Sequence, residues 1–398
     1  MRKVNTILSE ILKIIPKSQF KYLISIYKSD RYVKYFSTYD QFVTLIYAQS
    51  KGLNSLREIE TGLGLFSSRW YHTGFNGMKR STFSKAMARI DYRLFEDLFY
   101  GLLKQCKLFS PKHKFRFKNP LYSIDSSIID LCLSVFPWAK FRKRKGAIKL
   151  HCMLNHSGCL PEFISITDGK THDVKAIKDN ELLSQKLLPD SIVSFDRAYI
   201  DYKFLKKLDD RKVYFVTRLK TNLDYRLVGQ HKPRKHGNVM YDDLIKLDSQ
   251  KGRKEYPNEL RLVQYEDPIS GNLYKFITNN MKLSAKTIAD IYKSRWDIEL
   301  FFKWIKQNLK IKSFLGTSKN AVMSQIWVAM IYYLILSYIK FQTKFSGSVT
   351  ELHRIIRETL LERLNLIDIL NFNKIQFRKQ RAADLQLEIF LYIFTGMY

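Results

Sequence analysis

At about residue 120 the spacing of apolar residues changes from helical to strand-like, and a chain built this way needs two kinds of core. Upstream, SLREIETGL and STFSKAMARIDYRLFEDLFYGLL each open on a serine suited to N-capping and then repeat apolar residues at helical spacing. Downstream come five short β-rich runs, LYSIDSSIIDLCL, AIKLHCMLNH, PEFISITDG, SIVSFDRAY and VYFVTRL, with a helical stretch, DVKAIKDNELLSQKLL, between the third and fourth. Three consecutive strands, a helix and further strands predict an α/β fold with a mixed sheet flanked by helices. Residues 222–279 break that rhythm with Gly, Pro and Lys and read as a β-rich insertion, within which LRLVQYEDPISGNLYKFIT predicts two strands around a turn. Helices resume at SAKTIADIYKSRWDIELFFKWIKQNLK.

These patterns divide the chain into a helical domain over 1–118, a sheet domain over 119–341 and a C-terminal helical tail over 342–398. PKHKFRFKNP, residues 111–120, reads as a basic linker bounded by prolines. The segment 321–341 is the most membrane-like in the chain, but Ser324, Gln325 and Ser337 interrupt it, and a buried core helix is expected. The N-terminus carries Glu10 inside its apolar part and lacks a small-residue cleavage site, so no signal peptide is expected. Four cysteines in 398 residues predict no disulfide framework, in keeping with a reducing cytosol.

Charge narrows the partners. The chain carries 68 Lys and Arg against 37 Asp and Glu, a formal net charge of +31, which points to a polyanion, nucleic acid first. A membrane surface is the competitor, but no long basic amphipathic helix with a lipid-like face is found, and no membrane association is expected. The excess is concentrated at the front, with 22 Lys and Arg against 8 Asp and Glu in residues 1–118. There Arg80, Ser81, Thr82 and Lys85 head a candidate groove-reading helix.

Within YKSRWDIELFFKWIK, residues 292–306, a single helix would place Tyr292, Arg295, Glu299 and Lys306 on one stripe about 60° wide. Ile298, Leu300, Phe301, Trp304 and Ile305 lie mostly opposite. A salt-bridged surface helix explains this pattern without function. The other acids argue for more. Asp125 ends the run LYSID and Asp196 ends SIVSFD, and α/β sheets place ligand sites just beyond the carboxyl ends of strands. Two aspartates on adjacent strands with a glutamate on a covering helix form a set of hard oxygen ligands, able to hold two divalent cations for in-line phosphoryl transfer. Tyr292, Arg295 and Lys306 would then touch DNA phosphates beside the scissile one.

The gaps Tyr292, two residues, Arg295, three residues, Glu299, six residues, Lys306 resemble the YREK signature of DDE transposases of the insertion-sequence-4 family, which includes the Tn-five and Tn-ten transposases. The resemblance covers about residues 120–341 and implies an RNase H-like core with a β-rich insertion before the glutamate helix. It implies that Asp125, Asp196 and Glu299 are the catalytic, metal-binding triad, with Mg²⁺ as cofactor and Mn²⁺ as substitute. It further implies binding to double-stranded DNA at terminal inverted repeats and at the target, a homodimer on paired ends, and action in the bacterial cytosol on the nucleoid. Hairpin-forming relatives hold a flipped base on an aromatic residue, often a tryptophan of the insertion, but all five tryptophans here lie outside it. Tyr225, Tyr241, Tyr256, Tyr265, Tyr274 and Phe276 are the alternatives. A domesticated DNA-binding protein that no longer cleaves, and a nuclease indifferent to end sequence, are the competing functions.

Other clusters read as structural. His151, Cys152, His156 and Cys159 invite a zinc reading, but no CxxC pair is present and strand alternation separates His151 from Cys152. Asp173 in THD reads as a helix N-cap, with His172 beside it, and KFRKRKG, residues 140–146, as a solvated hairpin tip. Asp130 and Asp297 are spare acids, Asp297 projecting about 160° from Glu299.

Overall fold

The computed structural model describes residues 5–70, 73–142, 145–169, 186–232, 238–309, 311 and 314–370. It divides into two compact units, Met1–Ser110 with Gln307–Tyr398, and Pro111–Lys306. The units part after Ser110 and after Lys306, and the helix Lys319–Thr343 lies in the helical unit. That helix is apolar all round, so its sequence fits any core large enough to bury it.

In the helical unit, Lys319–Thr343 packs against the helices Arg93–Phe109, Thr38–Lys51, Arg80–Arg89 and Val349–Thr359. Trp327 meets Phe99 with ring centroids 5.3 Å apart. It is the one described helix long and apolar enough to cross a membrane, and 94% of its most apolar window is buried in the protein. Ser55 caps Leu56–Leu65 in a capping box with Glu58, as SLREIETGL predicts. STFSKAMARIDYRLFEDLFYGLL instead forms two helices that break after Arg89, where Ile90 turns to an extended conformation.

The other unit is built on one mixed sheet, with ten strands among the described residues: β1 Leu121–Leu131, β2 Lys140–Arg142, β3 Lys145–Asn155, β4 Leu160–Asp168, β5 Ile192–Phe195, β6 Tyr214–Arg218, β7 Tyr225–Lys232, β8 Val239–Leu247, β9 Leu260–Glu266 and β10 Leu273–Thr278. The order is β2-β3-β1-β5-β6-β10-β9-β8-β7, with β4 on β3. β1, β5 and β6 run parallel, and the flanking pairs are antiparallel. Strands 225–278 therefore extend the central sheet through β10 on β6, where the sequence reads an insertion breaking its rhythm. β9 and β10 surround a turn at 267–272, as expected.

One face of the sheet buries Tyr122, Ile124, Val193, Phe195 and Phe215, and the other buries Leu121, Ile192, Val216 and Phe276 under the helix Ala285–Ser294. Phe115 and Phe117 of the expected linker stack on each other at 5.1 Å and pack on that second core. His172 and Asp173, most of the expected helix at 173–188, the hairpin residues 143–144 and the tail beyond 370 lie outside the described residues.

Candidate active site

The register of the parallel strands assembles the site. β1 and β5 pair Ile124 with Phe195, so the next position on each strand line is Asp125 and Asp196. Parallel register partners face the same side, so the two acids are neighbours where β5 ends; β1 itself runs on to Leu131, so Asp125 lies mid-strand and not at a strand end as its sequence run predicts. β5 and β6 pair Phe195 with Thr217, which places Arg218 next in the same row. Asp196 accepts from the N–H of Ala198 at 2.9 Å and caps the short turn Arg197–Tyr199. Across from Asp125 on β3 is the fully buried Cys152, whose thiol is pushed well above its usual range by burial and then by Asp125.

The covering segment departs from the expected single helix. One helix ends at Ser294 and another runs Trp296–Asn308, with Arg295 between them keeping a right-handed conformation, φ −53° and ψ −27°. Its N–H bonds to Tyr292 O at 3.1 Å, a tighter turn than an α-helix makes. Glu299 stays four residues ahead of Arg295 on the same flank. Arg295 itself turns inward, its side chain 12% exposed, where the helical wheel points it at solvent. Nη1 donates to Asp125 Oδ2 at 3.0 Å and Nη2 to Glu299 Oε1 at 2.6 Å. The physical reason lies in the strands, since two acids side by side on adjacent strands attract the nearest cation.

Tyr292 is half-buried, its ring 5.1 Å from Phe276 and 5.5 Å from the Arg295 guanidinium. Its hydroxyl is pushed up by burial first, and the nearby charges of Arg295, Asp196 and Arg218 act on it as well. Arg218 lies over the Tyr274 ring at 4.9 Å. The expected solvent-facing stripe is thus a packed stack of Phe276, Tyr292 and Arg295 that leads to the acids. Lys306 lies at the last turn of the glutamate helix, half-buried. Ile298, Phe301 and Ile305 are buried as expected, but Leu300 is 48% exposed and Trp296 57%.

Burial pushes the Asp125 carboxyl up to about 6, against the lowering pull of the Ser126 N–H and Arg295; Glu299 and Asp196 push it further up. Two of the three carboxylates, Asp125 and Glu299, share the Arg295 guanidinium, and Asp196 stands beside them in the strand row. Among the described residues no three His, Cys, Asp or Glu side chains are arranged to hold an ion as they stand, because Arg295 spans the space between Asp125 and Glu299. The donor set still fits a hard divalent cation, being all carboxylate oxygen, with two of its three members already drawn together by a cation.

The residues of the zinc reading go elsewhere. His151 Nε2 pairs with Thr167 Oγ1 at 3.0 Å, and His156 Nδ1 with Asp297 Oδ2 at 3.2 Å. The spare acid Asp297 is therefore engaged, while Asp130 is exposed. Arg218 is missed by the sequence reading, although it closes the strand YFVTR within VYFVTRL much as Asp196 closes SIVSFD. Of the candidate base-holding aromatics, Tyr256 and Phe276 are buried, whereas Tyr225, Tyr241, Tyr265 and Tyr274 are half-buried.

A family model described as a transposase DDE domain matches residues 116–335, more than half of the chain. The chain belongs to the DDE transposase family. A second model, a domain of unknown function (DUF4372), matches residues 3–76 of this transposase. The transposase is 29% identical over 275 residues to the probable transposase for insertion sequence element IS5377 of Geobacillus stearothermophilus, covering 68% of this chain and 70% of that one. It is 31% identical over 249 residues to the putative transposase y4zB of Sinorhizobium fredii, 62% and 68% of the two chains. It is 26% identical over 295 residues to the putative transposase for insertion sequence element IS4SA of Synechocystis, 72% and 79%. Among solved structures it is similar to the piggyBac transposase synaptic complex with hairpin DNA, with a TM-score of 0.47, 14% identity, and coverage of 92% of this chain and 79% of that one.

Proposed function

We propose that this transposase binds the ends of an insertion sequence and catalyses metal-dependent DNA strand cleavage and strand transfer on an RNase H-like core. The observation that carries the reading is Asp125 within β1 standing beside Asp196 at the end of the parallel strand β5, with Glu299 tied to Asp125 through Arg295. Asp125, Asp196 and Glu299 are the residues that would hold Mg²⁺, or Mn²⁺ in its place. When bound, such ions activate a water or a 3′ hydroxyl and neutralise charge on the attacked phosphate. Arg295 keeps the acids gathered in their absence. Arg218 and Tyr292, beside Asp196, would orient a phosphate and its sugar, and Lys306 would contact the backbone further along.

The helical unit supplies the grip. A groove of about 510 Å³ is lined by Arg31, Tyr32, Lys34, Tyr35, Lys85 and Arg89, among others. Tyr32 and Tyr35 are 87% and 85% exposed, and Tyr32 holds a left-handed backbone at φ 62°. The loop is pinned by Arg89 on Ser29 O at 2.6 Å and by Thr38 on Asp30 at 2.7 Å. Cations interleaved with exposed tyrosines suit a DNA backbone and its sugars, with Lys85 on the helix expected to read a groove. Two copies act together on paired ends.

The test is incubation of the purified chain with DNA carrying its terminal repeats, in Mg²⁺ and in Mn²⁺. Nicking confined to the repeat ends is expected. Binding without nicking in either metal would establish a non-cleaving DNA-binding protein, and cleavage of random duplex at equal rate would establish a general nuclease.

A further inference from the structure

Beneath the row of acids, a chain of buried hydrogen bonds has no part in the chemistry described above. Asp297 Oδ2 meets His156 Nδ1 at 3.2 Å; His156 Nε2 meets Ser123 Oγ at 2.7 Å; Ser123 Oγ meets Ser194 Oγ at 2.8 Å. Ser123 and Ser194 are wholly buried, and the His156 side chain is 3% exposed. A carboxylate only accepts, so Nδ1–H donates to Asp297, while Ser194 Oγ also donates to Tyr122 O at 3.3 Å and ties the far end of the chain to β1. The backbone N–H of His156 also donates to Leu121 O at 3.0 Å, fixing the ring to β1.

The chain ends where the acids begin. Ser123 stands two residues before Asp125, Ser194 two before Asp196 and Asp297 two before Glu299. On a strand, residues two apart share a face, so each serine lies directly behind its aspartate. On a helix, residues two apart leave on nearly opposite flanks. The glutamate helix is therefore held on one flank by Arg295 bridging Glu299 to Asp125, and on the other by His156 grasping Asp297. Two anchors on opposite flanks oppose rotation of the helix about its axis, the motion that would carry the Glu299 carboxylate away from the aspartates.

We propose that His156, bridging Asp297 to Ser123 and Ser194, is a positioning residue that sets the roll of the glutamate helix and so the spacing of Glu299 from Asp125 and Asp196. This rests on the catalytic reading above. Buried polar groups with every partner present rigidify a core more than apolar contacts of the same size. A catalytic carboxylate displaced by about 1 Å costs on the order of a hundredfold in rate. Arg295 alone would not prevent this, because a long side chain can follow the helix as it turns.

Asp297→Ala removes the grip, whereas Asp297→Asn keeps an oxygen that accepts from Nδ1. Relative to wild type, Asp297→Ala is expected to bind transposon ends normally, cleave about 10- to 100-fold more slowly, and bind Mn²⁺ more weakly in a titration without DNA. Asp297→Asn should recover most of both losses. Ser194→Ala, a smaller change less prone to misfolding, should show the same pair of defects in weaker form. Equal cleavage and equal Mn²⁺ affinity in wild type and Asp297→Ala overturn the positioning role alone. So does a loss that merely tracks the folded fraction and is not recovered by Asp297→Asn. Absence of cleavage by the wild-type chain, or full cleavage by Glu299→Gln, overturns the catalytic reading instead.

Discussion

Arg295 donates to Glu299 at 2.6 Å from one end of its guanidinium while the other end holds Asp125 at 3.0 Å, across 170 residues of sequence. A cation built into the fold thus occupies the centre of the acid set. On the proposed reading, Glu299→Gln keeps a group for Arg295 to bind but lacks the charge a hard cation requires. End binding should persist, and strand cleavage should fall by about a thousandfold or more, in line with the several kcal/mol that metal ions supply to such transition states. Gel-shift and cleavage assays on the same sample check both, and wild-type cleavage by Glu299→Gln would sink the assignment.

Removing the guanidinium should make the protein depend on metal for stability. Arg295→Ala leaves Asp125 and Glu299 without their shared partner, which should cost about 1–3 kcal/mol in metal-free buffer. Mg²⁺ should restore more stability to Arg295→Ala than it adds to wild type, because the ion replaces the missing charge. Thermal unfolding with and without Mg²⁺ measures the difference, and an equal response of the two proteins would count against metal binding at these acids.

For the helical unit, Lys34→Ala and Lys85→Ala should each weaken DNA binding across sequences. Each should reduce the slope of log K against log salt by about one unit. Binding isotherms at several salt concentrations suffice, and an unchanged slope in both would remove this groove from the interface.

A buried histidine makes the same unit sensitive to acid. Burial, with Arg357 and Arg354 nearby, lowers His353 from 6.5 to about 4, and its Nδ1 meets the Tyr332 hydroxyl at 3.0 Å. Below pH 6.5 the unfolded chain takes up a proton that the folded chain refuses until about 4. Stability from this group is therefore complete above 6.5 and lost as pH falls through that window, by about 3 kcal/mol at most. His353→Gln should flatten that part of the stability profile in denaturant titrations.

In the sheet, Arg261 is fully buried and fixed by Asp242 through two bonds of 2.6 and 2.7 Å. Its remaining nitrogen donates to the carbonyls of Asn280 and Leu283. Asp242→Ala strands a buried guanidinium and should destabilise by about 3–5 kcal/mol. A cost below 1 kcal/mol in chemical denaturation would contradict the pairing.

Asp125 and Asp196 are legible in the sequence because an acid ending an apolar strand run is conspicuous, and Glu299 because its neighbours carry a spaced pattern. The inward turn of Arg295 is not legible, since a helical wheel records angle but not which distant acids compete for the cation. Ser123, Ser194 and His156 are equally hidden: serine in a strand signals nothing until register sets it beside another serine. Arg218 could have been found by the rule that found the acids, applied to a basic strand end. The helix Lys319–Thr343 announces its burial but not its core, because uniform apolarity carries no direction.

The acids are joined only by long-range strand pairing and a late helix, which has a consequence for the chain as it is made. Ribosomes add about 5–20 residues per second, so roughly nine to thirty-five seconds separate the emergence of Asp125 from that of Glu299. Throughout that interval the nascent chain carries both aspartates without their glutamate or Arg295. On the proposed reading it cannot cut DNA during that time, and any product that terminates before residue 299 stays inert.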